Sequence, residues 1–320
     1  MSKIKLLVNS LISLCIVFFC LFIFINNLKG ELTLNNLLLF IYSGWVQLIA
    51  ATILLIISVY IRAFRWKHLL QSNDSQSITS LFSAQLVGYF INNISPVRIG
   101  DFAKSYLVSK QTNQKNSYIL GSIIMERTLD TMMLFIFLLL IIWNYGLEFL
   151  GINFSLDSIS WYIMISTILI LFFLVYFIKT FITIKIQNLL NEVWQGFSAI
   201  QFSNKGIVIF SSLFIWLIYW VNVFLIKSIF HIQLSFIDCL LILVSSSLIQ
   251  MIPTGFGALG IFHLGVESVL FKLGINDYYY FLILLWLYSY IIYTLLGSYY
   301  SIKESKFTFK NLYNDLIKNY

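Results

Sequence analysis

The chain has 320 residues, of which 60% are apolar and 10% are charged, and its mean hydropathy is +0.89. Because soluble domains carry roughly 25% charged residues, this composition excludes a soluble globular protein and predicts an all-α polytopic membrane protein. The net charge of +7 comes from basic residues scattered at the ends of apolar segments. That distribution is typical of the positive-inside bias and argues against a nucleic-acid partner.

Three apolar segments of the first half are predicted to cross the membrane, at about residues 6–25, 43–61 and 118–143. The first is about 20 residues long and has no small-residue cleavage site, so we interpret it as a span rather than a signal peptide. Lysines before it and the sequence RAFRWKH after the second span place both ends in the cytoplasm. We interpret Arg62 and Arg65 of that sequence as surface residues that snorkel or bind lipid phosphates.

Residues 78–97, between the second and third spans, are apolar but are interrupted by amides, a serine and Pro96. A complete crossing would place the following cations outside, against the charge bias. We therefore predict a re-entrant hairpin that turns near residues 93–100 and returns through residues 102–108. Asn93 could satisfy backbone groups that such a turn leaves unpaired.

The second half shows the same order of segments. Spans are predicted at about residues 161–181, 207–230 and 279–300, with an external loop at 144–160. Apolar residues recur at helical spacing between Ile186 and Ile200, which predicts an amphipathic helix on the cytoplasmic surface. Residues 238–272 contain Pro253 and several glycines, so we predict a second re-entrant hairpin there, entered from the outside.

The order span, span, hairpin, span thus occurs twice with opposite starting sides, which predicts an inverted-topology repeat. We expect about six transmembrane helices plus two re-entrant hairpins. They form one transmembrane domain of residues 1–302, with half-repeats at about 1–145 and 160–302, followed by a short cytoplasmic tail of residues 303–320. Binding sites of such repeats lie near the middle of the membrane, where the interrupted segments meet.

The first hairpin and the third span carry ionisable side chains that could bind a ligand. Arg98 has a planar, permanently charged guanidinium that suits a phosphate, although an Arg98–Asp101 pair could equally neutralise itself. Glu126, Arg127 and Asp130 lie deep in the predicted span, where ionisable groups cost several kcal/mol. They either line a cavity between the hairpins or form an interhelical ion cluster that fixes the packing.

The second hairpin adds backbone groups and two titratable side chains. Gly257 and Gly260 permit close backbone approach with exposed N–H groups, which attract anions. His263 and Glu267 lie four residues apart on one helix face and could relay a proton or bind a polar head, or only pack. A zinc site is not expected, because a third ligand is not evident.

Four sequence motifs occur in this order along the chain: RAFRWKHLL, NNISPVRIGDFAKSYLV, MERTLD and GFGALGIFHLGVE. Together they resemble the lysylphosphatidylglycerol synthase transmembrane (flippase-like) domain family, over nearly the whole chain. The residues that match the family motifs are Pro96, Arg98, Gly100, Asp101, Glu126, Arg127, Asp130, Gly257, Gly260 and His263. Three positions depart from the usual pattern, since Asp101 replaces a glutamate, Ala258 replaces a second adjacent glycine and Pro253 stands one position early.

The resemblance implies a protein of the bacterial plasma membrane, with both termini cytoplasmic, that binds and translocates a polar-headed phospholipid, glycolipid or polyprenyl-phosphate lipid. Arg98 and Arg127 would hold the phosphate, with His263 and Glu267 on the other side and Asn93 at the turn. Only about 20 residues follow the last span, so the aminoacyltransferase domain of some members is expected to be absent. We expect neither enzymatic activity nor a cofactor. The alternatives are a membrane-embedded transferase that uses the carboxylates as acid and base, and a non-transporting partner of a cell-envelope enzyme.

Overall fold

The computed structural model describes residues 33–70, 77–95, 98–112, 114–149, 184–199, 204–251, 256–275 and 278–303. These residues form helices and no strand, which confirms the all-α prediction. The predicted spans at residues 6–25 and 161–181, both prolines and the tail lie outside the described residues. The helices are α1 (Leu34–Ser43), α2 (Trp45–Leu69), α3 (Ile78–Ile94), α4 (Gly100–Thr112), α5 (Asn116–Phe149), α6 (Ile184–Phe197), α7 (Lys205–Ile229), α8 (Phe236–Met251), α9 (Ile261–Lys272) and α10 (Tyr279–Lys303).

Four of these helices are long and apolar enough to cross a membrane, namely α2, α5, α7 and α10. They coincide with the four predicted spans that lie within the described residues. Two boundaries differ from the prediction. Helix α2 continues through Leu69, because the arginines that follow residue 61 find partners inside the protein. Helix α5 continues past the predicted loop start at residue 144, with a left-handed break at Gly146 (φ 76°).

Each interrupted segment forms a pair of short helices, α3 with α4 and α8 with α9. The longest of the four, α3, has 17 residues and rises about 26 Å, which is less than the roughly 30 Å of a bilayer core. In the first pair the backbones touch, since a Cβ on Gly100 would lie 2.0 Å from the Gly88 carbonyl oxygen. The half-repeat boundaries and the sidedness of the chain stay predictions.

The buried apolar side chains form two separate groups. One joins the C-terminal part of α2 to α3, α4 and the start of α5, around Trp66, Leu81 and Leu107. The other joins the later part of α5 to α7, α8, α9 and α10, around Ile226 and Phe281. Each hairpin therefore belongs to a different hydrophobic core.

The predicted amphipathic helix exists as α6, but it packs against α5 instead of only resting on the membrane surface. Gly121 and Gly196 allow the two backbones to touch. A Cβ on Gly121 would lie 2.0 Å from a carbonyl oxygen of α6, and a Cβ on Gly196 would lie 1.9 Å from a carbonyl oxygen of α5. Leu190 and Trp194 remain exposed on its outer side. The apolar spacing thus identified the helix correctly, whereas its attachment depends on glycines.

Candidate functional site

Two arginines of α2 lie opposite two carboxylates of α5 in the protein interior. Arg62 Nη1 is 2.8 Å from an Asp130 oxygen and 3.1 Å from a Glu126 oxygen. Arg65 makes the same two contacts, at 2.9 Å to Asp130 and 3.3 Å to Glu126. Because each pair of like residues is about one helical turn apart, the two helices present matching rows of opposite charge.

A third cation completes this group. Lys104 of α4 places Nζ 3.0 Å from the second Glu126 oxygen and 5.1 Å from the centre of the Trp66 ring. Gln85 of α3 donates to Glu126 at 3.2 Å and accepts from Lys104 at 3.3 Å. We call Arg62, Arg65, Lys104, Glu126 and Asp130 the ion cluster; it joins α2, α4 and α5, and the amide of Gln85 attaches α3.

The ion cluster corrects one expectation and extends another. Arg62 and Arg65 are only 5% and 0% exposed, so their interpretation as snorkelling surface residues is wrong. Glu126 and Asp130 are 0% and 8% exposed, and they form ion pairs between helices, which is the second of the two alternatives for these side chains. The role of Lys104 is not evident from the sequence, since a lysine near a predicted span end usually marks topology alone.

Arg127 lies apart from the ion cluster, at its edge. Its Nη2 is 2.7 Å from one Asp101 oxygen and its Nε is 3.3 Å from the other, so the pair is bidentate. The two side chains are 44% and 37% exposed. Lys104 Nζ lies 3.5 Å from Asp101 and so connects this pair to the ion cluster. Asp101 therefore pairs with Arg127 of α5 and does not form the local pair with Arg98 that the sequence also allowed.

The turns of the two hairpins meet. The Phe256 N–H donates to the Ser95 carbonyl at 3.1 Å, and Arg98 donates from Nη1 to the Gln250 carbonyl. Asn93 holds the first turn on α10, donating to Thr294 Oγ1 at 3.0 Å and to the Tyr290 carbonyl at 3.3 Å. The structure thus brings Asn93 and Arg98 next to the glycine-rich segment, as expected from two opposed hairpins.

The second turn has an unusual backbone. Phe256, Gly257 and Ala258 have φ values of 54°, 63° and 60°, and Gly260 follows at 84°. Left-handed non-glycine residues cost roughly 1–3 kcal/mol each and persist only where their surroundings impose them. Here Trp286 Nε1 donates to the Gly257 carbonyl at 2.9 Å. A Cβ on Gly257 would lie only 2.8 Å from the Tyr290 ring, so this position requires glycine.

His263 and Glu267 share the buried face of α9, with 3% and 8% of their surfaces exposed. The His263 ring centroid is 5.7 Å from that of Trp286, the same indole that holds Gly257, so this histidine lies next to the turn. Glu267 accepts from the Tyr278 hydroxyl at 3.1 Å, near the start of α10. The structure therefore places the histidine beside the turn and ties the carboxylate to Tyr278.

The region around the first hairpin carries an excess of positive charge. Five cationic side chains (Arg62, Arg65, Arg98, Lys104 and Arg127) accompany three carboxylates (Asp101, Glu126 and Asp130), a surplus of two. Arg98 makes no salt bridge within the described ranges, and its buried Nε has no hydrogen-bond partner there. Among the described residues, no three metal-ligating side chains lie together. The arrangement suits an anion rather than a cation.

Comparisons with known proteins bear on the same conclusion. A family model described as the lysylphosphatidylglycerol synthase TM region matches residues 6–297. A UPF0104 membrane protein of Methanocaldococcus jannaschii is 27% identical to this chain, over 59% of this chain and 82% of the relative. No solved structure matches the chain. Since the family model covers most of its residues, the chain belongs to the family of the lysylphosphatidylglycerol synthase TM region.

Proposed function

We propose that this protein binds an anionic, polar-headed lipid where the two hairpin turns meet and moves it between the leaflets of the plasma membrane. The observation that carries the proposal is Arg98. It lies at the meeting point, has only the Gln250 carbonyl as a hydrogen-bond acceptor among the described residues, and keeps a buried N–H unpaired. A half-buried guanidinium in this state gains most from an added phosphate, which accepts two N–H groups at once.

Arg127 supports the proposal as a second, outer binding position. Its pair with Asp101 is more than a third exposed on both sides, so a passing phosphate could exchange with the carboxylate at little cost. The surplus of two positive charges remains after every carboxylate of the region has been counted. An anion moving from Arg127 towards Arg98 would thus be attracted along the whole path.

A catalytic role finds less support in the same contacts. Glu126, Asp130 and Asp101 are each bonded to at least one cationic side chain. A carboxylate that is held this way is poorly placed to take up and release a proton, which a general acid or base must do. We therefore propose lipid transport without a chemical step.

The test is a translocation assay in liposomes with phosphatidylglycerol that carries a fluorophore on one acyl chain. We expect Arg98→Ala to slow translocation at least tenfold and Arg98→Lys to retain part of it, because lysine keeps the charge but not the planar pair of donors. Lys303→Gln serves as the matched control, since it removes a cation from the end of α10 with no salt bridge among the described residues. Wild-type rates for Arg98→Ala would refute the assignment.

A further inference from the structure

Four tyrosines from three helices lie near Arg62 or near the tyrosine that bonds it. Tyr219 of α7 accepts from Arg62 Nε at 3.0 Å, and its ring centre is 5.7 Å from the guanidinium carbon. Tyr89 of α3 stacks on Tyr293 of α10 with ring centroids 4.5 Å apart. Tyr288 and Tyr293 of α10 both lie within electrostatic range of Tyr219. We call these four residues the tyrosine group.

The tyrosine group lies between the ion cluster and the meeting point of the turns. Tyr89 is one turn after Gln85 and one turn before Asn93 on α3, and Tyr293 lies between Tyr290 and Thr294 of α10, the two residues that Asn93 bonds. One turn corresponds to about 5–6 Å. A ligand at the meeting point of the turns would therefore lie within about one helical turn of Tyr89.

Two hydroxyls of this group, those of Tyr89 and Tyr293, are under-used within the protein, whereas the Tyr288 hydroxyl lies within hydrogen-bonding range of Asn222. In the parts of the chain that the structure describes, Tyr89 and Tyr293 make no hydrogen bond through their hydroxyls, and neither hydroxyl oxygen is fully buried. Tyr219 accepts from Arg62, so its own hydrogen is available to donate. All four rings keep part of their surface accessible although helices surround them. Polar groups at this depth are unfavourable unless something bonds them.

Resting on the proposed function, we propose that the tyrosine group binds a hydroxyl-rich head, a sugar or polyol, attached to the lipid phosphate. Phenol hydroxyls both donate and accept, as sugar hydroxyls require, and the ring faces pack against the C–H faces of a sugar. A cationic head is disfavoured although aromatic rings can bind cations, because Arg62 already occupies the Tyr219 face. An acyl chain would leave the hydroxyls unpaired.

The experiment compares two probes with the same labelled acyl chains, phosphatidylinositol and phosphatidic acid. Both carry a phosphate, but only the first carries a polyol. We expect the wild-type protein to move phosphatidylinositol faster, and the double variant Tyr89→Phe/Tyr293→Phe to lose roughly fivefold or more on this probe alone, since it removes two hydroxyls and keeps both rings. Tyr299→Phe, an exposed tyrosine of the same helix, is the matched control.

The outcomes separate this inference from the proposed function. Equal wild-type rates for the two probes, or a double variant that keeps the preference, would overturn the inference while leaving lipid transport intact. If neither probe moves, transport of these lipids fails, and the inference is then decided by binding. In that case the same two lipids are compared by native mass spectrometry. A phosphatidylinositol preference that the double variant abolishes supports the tyrosine group, and equal retention refutes it.

Discussion

The two hairpins have the same outline and different construction. The first, α3 with α4, adds polar contacts to its apolar core around Leu81 and Leu107, because Gln85 and Lys104 both bond the buried Glu126. The second, α8 with α9, is attached through apolar side chains such as Leu240, Val266 and Leu270, each 0% exposed. Its one buried carboxylate, Glu267 of α9, accepts a hydrogen bond from the Tyr278 hydroxyl.

Under the proposed function, this difference would suit an asymmetric ligand. Opposed hairpins bring two turns together near one point, but a lipid head has a charged side and a side that needs neutral donors. The first hairpin contributes Arg98 and the nearby surplus of positive charge. The second contributes backbone groups, since its left-handed turn directs the Phe256 N–H at the Ser95 carbonyl of the first.

The largest expected effect comes from removing the charge that anchors the first hairpin. Glu126→Gln keeps the shape of the side chain but leaves three buried cations with one carboxylate, which should cost about 3–5 kcal/mol of unfolding free energy. Glu267→Gln is the matched change in the second hairpin. It keeps an oxygen for Tyr278 to donate to, so we expect a cost of about 1 kcal/mol. Thermal unfolding in detergent measures both, and similar losses would contradict the contrast between the hairpins.

A smaller difference in stability is expected when a glycine of each hairpin is replaced by alanine. A Cβ on Gly100 would lie 2.0 Å from a backbone oxygen of Gly88, whereas one on Gly265 would lie 2.0 Å from the tip of the Ile249 side chain. Backbone cannot yield without moving a helix, but an isoleucine tip can rotate away. We therefore expect Gly100→Ala to destabilise by about 1–3 kcal/mol and Gly265→Ala by clearly less. Unfolding temperatures measure the difference, and the reverse order would show that the first hairpin is the more adaptable one.

Much of the fold could be predicted because hydropathy is a local property. The four described spans follow from apolar length, and both interrupted segments follow from polar residues and prolines within apolar runs. The depth of Glu126 and Asp130 follows from their position in such a run. Each of these inferences needs only neighbouring residues.

The partners of these carboxylates could not be predicted, because they lie 61–68 residues away in the sequence. The sequence RAFRWKH has the composition of a cytoplasmic flank, and only the spacing of Arg62 and Arg65, similar to that of Glu126 and Asp130, hints at a match. Asp101 had a local partner in Arg98 at three residues, yet helix packing placed Arg127 closer. Nor does any sequence rule predict left-handed Phe256 and Ala258.

The smallest effect should come from the same kind of ion pair placed at the surface. Lys115, before α5, and Ser117 both donate to Glu192 of α6, and these hydrogen bonds hold the pKa of that carboxyl below its usual value. The stabilisation is therefore complete above the unfolded pKa of about 4.3 and is lost as the pH falls through the lower folded value. Since Lys115 is 73% exposed, we expect at most about 1 kcal/mol, weakened by salt. Hydrogen exchange of α6 against pH checks this, with Glu192→Gln as the variant that should lose the pH response. A loss as large as that of Glu126→Gln would mean that burial is not what separates the two ion pairs.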